Sequence, residues 1–425
     1  MQDERTEIGA IEDAPRVSPP FCASAREQAG AVLAYPLACC FVFALFGGKS
    51  LWAALFLPGF IALTIFLQPE ASGAKERWVW LVCAGLNALG ITLGRGAVWD
   101  GARWPMLVFA LWWAAARCGW LTETQSGAML PLDAWNIYGA VPFVNILLQL
   151  RCIGAGLSGD GRRKRTWTPE TLLFTLLAAL ASLILLGMAV ALLMQADEGF
   201  SLLTRALSER ISGCISEETV GRLILALPFS AWLFGALAGL KRTPPEVLSD
   251  RGAALRAWLE SLRQVPMAAW TALIWVFCLV YAAFFTVQAQ YMFGAFCRKL
   301  PEGFIVSEYA RRGFFELCWV MVINFSLLWL AGHTAQDRAD RHKPLLAACL
   351  LLAFESLLFA VVAGSKIALY IDCFGFTRLR LQSAWLVAVL AFGWCCAGVS
   401  LVMNRRTCRI WMMFGALTQA ILMLL

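Results

Sequence analysis

A chain of 425 residues that is 60% hydrophobic and only 15% charged cannot be a water-soluble domain, in which about 25% of residues carry charge. The net charge of +7 would suggest nucleic acid in a soluble protein, but these cations gather between apolar blocks, as membrane topology demands; the lipid bilayer is the expected partner and nucleic acid is not. The 15 cysteines are scattered, form no CxxC pair and have only two histidines for company, which reads as small buried hydrophobes and excludes a disulfide framework or a metal centre.

In chain order, residues 1–28 form a polar tail. Asp3, Glu4, Glu7, Glu12 and Asp13 make it unlike a signal peptide. The apolar blocks that follow are each long enough to cross roughly 30 Å of hydrocarbon as a helix. The expected fold class is therefore all-α, a polytopic transmembrane helical bundle of about eleven spans, at 29–46, 51–67, 78–93, 104–120, 172–195, 223–240, 266–287, 314–331, 345–364, 384–403 and 410–425. The stretch 128–150 is apolar enough to insert but holds Pro131, Asp133, Asn136, Pro142 and Asn145; it is a twelfth span, an interfacial helix or a re-entrant piece. The spans divide into an N-terminal transmembrane module at 29–150, a basic cytoplasmic loop at 151–170 around Arg162-Arg163-Lys164-Arg165, and a C-terminal module at 171–425. Eleven spans with the N-terminus inside place most of the 35 cations on inner segments. The expected location is the cytoplasmic membrane of a bacterial cell. No internal repeat of the kind found in many secondary transporters is visible.

Several motifs imitate chemistry. Gly154-Ala155-Gly156-Leu157-Ser158-Gly159 matches GxGxxG but leads into four cations and not into a strand–helix unit, so it reads as a flexible loop. Gly47-Gly48-Lys49-Ser50 ends like a P-loop, with Phe43 where the first glycine belongs. His333 and His342 lack a partner at ligand spacing and read as a solvated turn. Gly90 and Gly94, and Gly235 and Gly239, repeat at four residues and point to close helix packing. No cofactor, metal or catalytic residue is expected.

The constellation that carries the functional expectation lies between 309 and 380. Tyr309, Arg312 and Glu316 share one face if the approach to the span at 314–331 is helical, and Arg311 points elsewhere. The following span holds Glu355 near its middle, where a carboxylate must face the interior and be neutral or paired. It ends in Lys366, Tyr370 and Asp372, followed by Arg378 and Arg380. Two consecutive spans joined by a short loop run antiparallel, so Tyr309, Arg311, Arg312 and Glu316 converge with Lys366, Tyr370, Asp372, Arg378 and Arg380 at one membrane interface. Paired guanidinium groups there suit a small anion or an anionic lipid head group; the competing reading is an ion-pair network that pins two helix ends.

At these residues the sequence resembles a bacterial family described as a domain of unknown function numbered forty-one seventy-three, with a related group numbered forty-one fifty-three. The resemblance is carried by Leu300-Pro301-Glu302-Gly303-Phe304, by Tyr309-Ala310-Arg311-Arg312-Gly313-Phe314-Phe315-Glu316-Leu317, and by Leu369-Tyr370-Ile371 through Thr377-Arg378-Leu379-Arg380, within 290–381. Phe374-Gly375-Phe376-Thr377 departs from the family's Tyr-Gly-Leu-Thr and loses a hydroxyl. The resemblance implies a polytopic bacterial membrane protein and brings no activity. The leading expectation is a transporter or permease-like protein with a charged interfacial anion or proton site. The alternatives are a sensor or accessory subunit with a membrane-protein partner, and an enzyme on a lipid-linked substrate using Glu316 or Asp372, for which no HExxH or GxSxG motif speaks.

Overall fold

The computed structural model describes residues 21–46, 51–71, 73–94, 104–157, 216–243, 245–293, 314–337 and 342–424, together with Ser182, Leu185, Met188 and Ala189. Among these residues the regular structure is helical, and the β-type contact is an isolated bridge between Val265 and Ala335. Among the described residues six helices are long and apolar enough to cross a membrane, or seven if one bent pair counts as a span: α1 (Ala25–Phe46), α7 (Glu217–Arg242), α9 (Met267–Phe293, through its part Met267–Val287), α10 (Phe314–Thr334), α11 (Lys343–Phe374) and α12 (Arg378–Met403). This replaces the expected count of eleven. Four of the predicted spans are the shorter helices α2 (Leu51–Leu67), α3 (Arg77–Thr92), α4 (Trp104–Cys118) and α13 (Cys408–Leu422), of 17, 16, 15 and 15 residues. At about 1.5 Å per residue they fall short of roughly 30 Å of hydrocarbon. The span expected at 172–195 lies outside the described residues but for four positions.

Contacts between helix ends show which helices run in opposite directions. Arg242 at the end of α7 pairs with Glu27 at the start of α1 at 2.9 Å, while Arg222 near the start of α7 donates to the carbonyl of Phe46 at the end of α1. Arg117 closing α4 donates to the Gln68 carbonyl beyond α2, and Ala74 before α3 donates to Ala116 of α4. The Val265–Ala335 bridge ties the start of α9 to the end of α10. One surface of the bundle, the Glu27 face, thus collects the starts of α1, α3, α9, α11 and α13 and the ends of α2, α4, α7, α10 and α12. The opposite surface, the Gly375 face, carries the turn between α11 and α12, where Gly375 takes φ 76°, a left-handed conformation that suits a residue without Cβ.

The first half packs small residues against small residues. Ala31, Ala34 and Ala38 of α1 and Ala226, Ala236 and Ala238 of α7 are all fully buried, allowing the close backbone approach that drives helix association in lipid. Phe41 fills the remaining gap, stacked on Phe229 at 4.9 Å and tilted against Phe56 at 5.0 Å. The helix α13 joins this core through Ala416, Ala420 and Met423 and lies against α3: Asn87 donates to Gln419 at 3.2 Å. A Cβ on Gly90 would stand 2.5 Å from the Met423 carbonyl oxygen, so Gly90 has the packing role its spacing predicts. Gly94 does not: it has φ 70° and open space around it, ending α3.

The stretch around 128–150 forms α5 (Leu130–Val144) and α6 (Leu148–Leu157), bent by 47°. Both of its outer ends stay on the Glu27 face. Asp133 is held by Thr122, Asn136 receives a bond from Arg251, and Gly156 lies against Gln28 at the start of α1. The stretch has the form of a broken span or a re-entrant piece. Its middle rests in a notch of α7, where a Cβ on Gly235 would come within 2.8 Å of the Pro142 carbonyl and one on Gly239 within 2.6 Å of the Asn145 amide. Residues 154–157, expected in a loop, continue α6 instead. Helix α8 (Pro245–Ser261) follows α7 on the same face, with Trp258 exposed.

Candidate functional site

The second half of the chain encloses a layer of polar side chains. Ser356 of α11 donates to the carbonyl of Leu352 one turn back at 2.8 Å, a geometry that lets a hydroxyl exist inside a helix without a lost donor. Its oxygen is then free to accept from the amide of Asn324 on α10 at 2.9 Å, and the Asn324 carbonyl oxygen accepts from the hydroxyl of Tyr281 on α9 at 2.7 Å. Asn324 and Ser356 are completely buried, so each bond depends on the other: the orientation of the Asn324 amide is dictated by the hydroxyls on its two sides. Three helices are locked in register by one chain of donors.

Glu355 stands next to Ser356 and is 5% exposed. Its Oε2 atom has no hydrogen-bond partner among the described residues. The thiol of Cys278, on α9, lies within reach of the carboxyl and 3.9 Å from the Ala348 carbonyl. A carboxyl with an unfilled oxygen inside a bundle is the group most able to take up or release a proton, or to meet a cation.

Apolar clusters close the layer on both sides. Toward the Glu27 face, Trp270, Ile274, Ala331, Leu345, Ala348 and Leu352 form one buried apolar cluster. Toward the Gly375 face, Leu317, Met321, Phe359, Val362 and Ala363 form another. Tyr281 packs on both clusters, its ring in the apolar packing and its hydroxyl in the polar layer.

The interfacial constellation expected from the sequence is found in part. Tyr309, Arg311 and Arg312 lie outside the described residues. Glu316, in the first turn of α10, and Lys366, in the last third of α11, meet near the Gly375 face as antiparallel spans require. Lys366 is 2% exposed, deeper than an interfacial anchor would sit, and the Glu316 carboxylate is near enough for its charge to act on it. Arg380 is committed elsewhere. Its guanidinium donates to the carbonyls of Phe374 and Gly375 at 2.8 and 2.6 Å and lies over the Tyr370 ring at 4.1 Å. It thus satisfies the last carbonyls of α11, which have no partner within the helix. Asp372 and Arg378 are exposed at the same turn, and Thr377 caps α12 by accepting from the Arg380 amide. The histidines serve helix ends: His342 caps α11, accepting from the Leu345 amide, and the Nδ1 of His333 is 2.8 Å from the Trp329 carbonyl. Among the described residues no group of three or more His, Cys, Asp and Glu side chains could hold a metal ion.

A second polar network, on the Glu27 face, was not foreseen. Glu76 accepts from both the amide and the hydroxyl of Ser126, and that hydroxyl accepts from the indoles of Trp80 and Trp112 at 3.1 and 2.9 Å. The other oxygen of Glu76 pairs with Arg409 at 3.0 Å. Glu123, held at φ 58°, bridges Arg256 of α8 and Arg406 of the turn before α13. Asp133 accepts from the amide and hydroxyl of Thr122 at 2.9 and 2.6 Å. These residues are far apart in sequence and have no shared spacing, so only the fold brings them together.

A family model described as Domain of unknown function (DUF4153) matches residues 37–425. The match takes in nearly all of the chain, far beyond the stretch 290–381 that carries the resemblance read from the sequence, and it selects the second of the two family numbers. No curated protein and no solved structure matches the chain.

Proposed function

The chain belongs to the DUF4153 family, and from that premise we propose that it is a multi-pass membrane transporter or permease-like protein whose working group is the carboxyl of Glu355. The observation that carries this reading is the position of that carboxyl: buried, with one oxygen unpartnered, in a polar layer enclosed by apolar packing on both sides. Ionisable groups at such depth are costly and mark ion or proton pathways by default. A protein that moves a solute by alternating access holds its site near the midplane with a barrier on each side, and the apolar clusters that flank Glu355 support this reading. The cations of the described residues lie on the Glu27 face or at its helix ends, except for Arg222, Lys366, Arg378 and Arg380. In this reading the Glu27 face is cytoplasmic, the N-terminus is inside, and Lys366 and Arg378 draw small anions to the outer mouth, with Glu316 as the counter-charge of Lys366. The host membrane is the cytoplasmic membrane of a bacterium.

The test is flux. Protein reconstituted in liposomes with an internal pH dye, given an imposed proton gradient and labelled phosphate or carboxylates, is expected to show gradient-driven uptake that Glu355→Gln abolishes. Uptake at the unaltered rate in that variant sinks the assignment.

An accessory-subunit reading is favoured by one feature, the helix α8. It lies outside the six long helices and presents Trp258, 56% exposed, beside exposed charge. A protein partner docked there would cross-link to Glu260→Cys, and failure of any protein to do so in intact membranes counts against it.

A further inference from the structure

Resting on the reading of Glu355 as the working group, we infer that Cys278 is its positioning residue: the thiol donates to the Glu355 carboxylate while that group is charged, and turns to the Ala348 carbonyl when Glu355 takes up a proton. Cys278 is buried on α9, and its sulfur stands 3.9 Å from the Ala348 carbonyl oxygen of α11. The Glu355 carboxyl lies within hydrogen-bonding reach of the same thiol. Ala348 and Glu355 are two helical turns apart and so share a face of α11. Backbone carbonyls point toward the C-terminal end of a helix, while side chains lean toward its N-terminal end. The two acceptors therefore approach each other across the turn of Leu352, and one thiol on the facing helix can serve either.

A thiol has a single proton and a weakly accepting sulfur, so it serves these oxygens one at a time. The neighbouring hydroxyls have no such choice, since Tyr281 donates to Asn324 and Ser356 to the Leu352 carbonyl. While Glu355 is a carboxylate, a charge-assisted bond from the thiol outcompetes the bond to a neutral carbonyl. When a proton arrives, the Glu355 O–H donates to the sulfur and the S–H turns to Ala348. The sulfur keeps its own proton throughout; one proton is gained by the carboxyl and one hydrogen bond is reversed. Oε2 of Glu355 has no hydrogen-bond partner among the described residues, so the orientation of the carboxyl rests on this thiol. The titratable groups that face the pair are Tyr281 of α9 and Cys349 of α11. The charges of the other helices packed against α11 stand at their ends, Glu316 and His333 on α10 and Arg378 and Arg380 on α12, and Lys366 is about three turns further along α11.

Infrared spectroscopy reads both partners. The whole protein in lipid discs is titrated across the pH range in which it stays folded. The carboxylic C=O band of Glu355 is assigned by its loss in Glu355→Gln, and the S–H band of Cys278 by its loss in Cys278→Ser, or in Cys278→Ala if the serine variant does not fold. As pH rises, the Glu355 band is expected to disappear and, over the same interval, the Cys278 S–H band to shift to lower frequency, as a thiol band does on meeting a stronger acceptor. In Glu355→Gln the S–H band is expected to keep one frequency at every pH. A thiol that only fills space shows no such coupling. A Cys278 band that stays fixed while Glu355 titrates, one that moves equally in Glu355→Gln, or a Glu355 band that never disappears overturns the assignment. The spectra need no transported solute. Coupled bands in a protein whose uptake is indifferent to Glu355→Gln would condemn the transport reading alone, and uncoupled bands in a protein whose uptake Glu355→Gln abolishes would condemn the role of Cys278 alone.

Discussion

Asn324 is the residue on which the polar layer turns, because it is acceptor to Tyr281 and donor to Ser356 at once. Truncating it leaves the half-buried Tyr281 hydroxyl without its acceptor and takes from Ser356 the donor it accepts, and a buried group left without its partner costs about 1–3 kcal/mol. Removing only the Tyr281 hydroxyl forfeits a single bond worth about 0.5–1.5 kcal/mol. Asn324→Ala is therefore expected to lower the midpoint of thermal unfolding in lipid discs more than Tyr281→Phe, and the double variant to fall short of the sum, since both changes break the same bond. Additive shifts would mean that the chain of donors does not act as a unit. On the other face, Arg409→Gln leaves the Glu76 carboxylate, whose side chain is 1% exposed, with Ser126 as its remaining partner. Arg409 is itself 42% exposed, so solvent screening limits the loss to about 1–2 kcal/mol. Glu355 was legible in the sequence because a charge inside an apolar run is an anomaly in one dimension. Asn324 was not, since one amide in a span looks the same whether it faces lipid, a neighbour or nothing. Arg380 was read as part of an anion site from its position, but the Gly375 turn brings the carbonyls of α11 within its reach first.

At the scale of elements, the bent pair α5 and α6 depends on the glycine notch of α7. Gly239→Leu is expected to dislodge the Asn145 segment and to weaken the fold or expose residues 130–157 to protease, whereas Gly221→Ala, on the same helix with nothing within 4 Å, is expected to be neutral or to stabilise by a few tenths of a kcal/mol to about 1 kcal/mol through helix propensity. Limited proteolysis of the two variants side by side decides it: equal behaviour removes the notch from the account. The four-residue glycine spacing announced this contact, as it did Gly90 against Met423, but it could not say which partner each notch receives. The α5 stretch was ambiguous for a physical reason. Pro131, Pro142 and the buried Asp133 and Asn136 are compatible with insertion only where other protein satisfies them, and those partners, Thr122 and Arg251, are supplied by other elements.

For the whole molecule, the direction of every described helix follows from contacts between their ends, and these make a testable map. Glu260→Cys on α8 and the native Cys373 beside Gly375 are both exposed and belong to opposite faces. An impermeant thiol reagent applied to intact cells is expected to label Cys373 and spare Glu260→Cys, with the reverse pattern in inverted vesicles. Labelling of both from one side would dismantle the orientation and, with it, the placement of the outer mouth.

The sequence by itself determined that the chain is helical and lives in a bilayer, where its antiparallel spans must meet, and that one carboxyl is buried out of place. These are consequences of hydropathy and length, which are local properties. Tertiary structure alone decided that the four short helices α2, α3, α4 and α13 build one core with α1 and α7, that residues 130–157 break into a bent pair seated against α7, and that Glu355 lies beside the Tyr281–Asn324–Ser356 chain between two apolar clusters. In lipid the outside of a helix is as apolar as its interior contacts, so composition does not reveal which way a helix is rotated. The rotation is fixed by small residues and by a few hydrogen bonds between side chains hundreds of positions apart, such as Asn87 with Gln419.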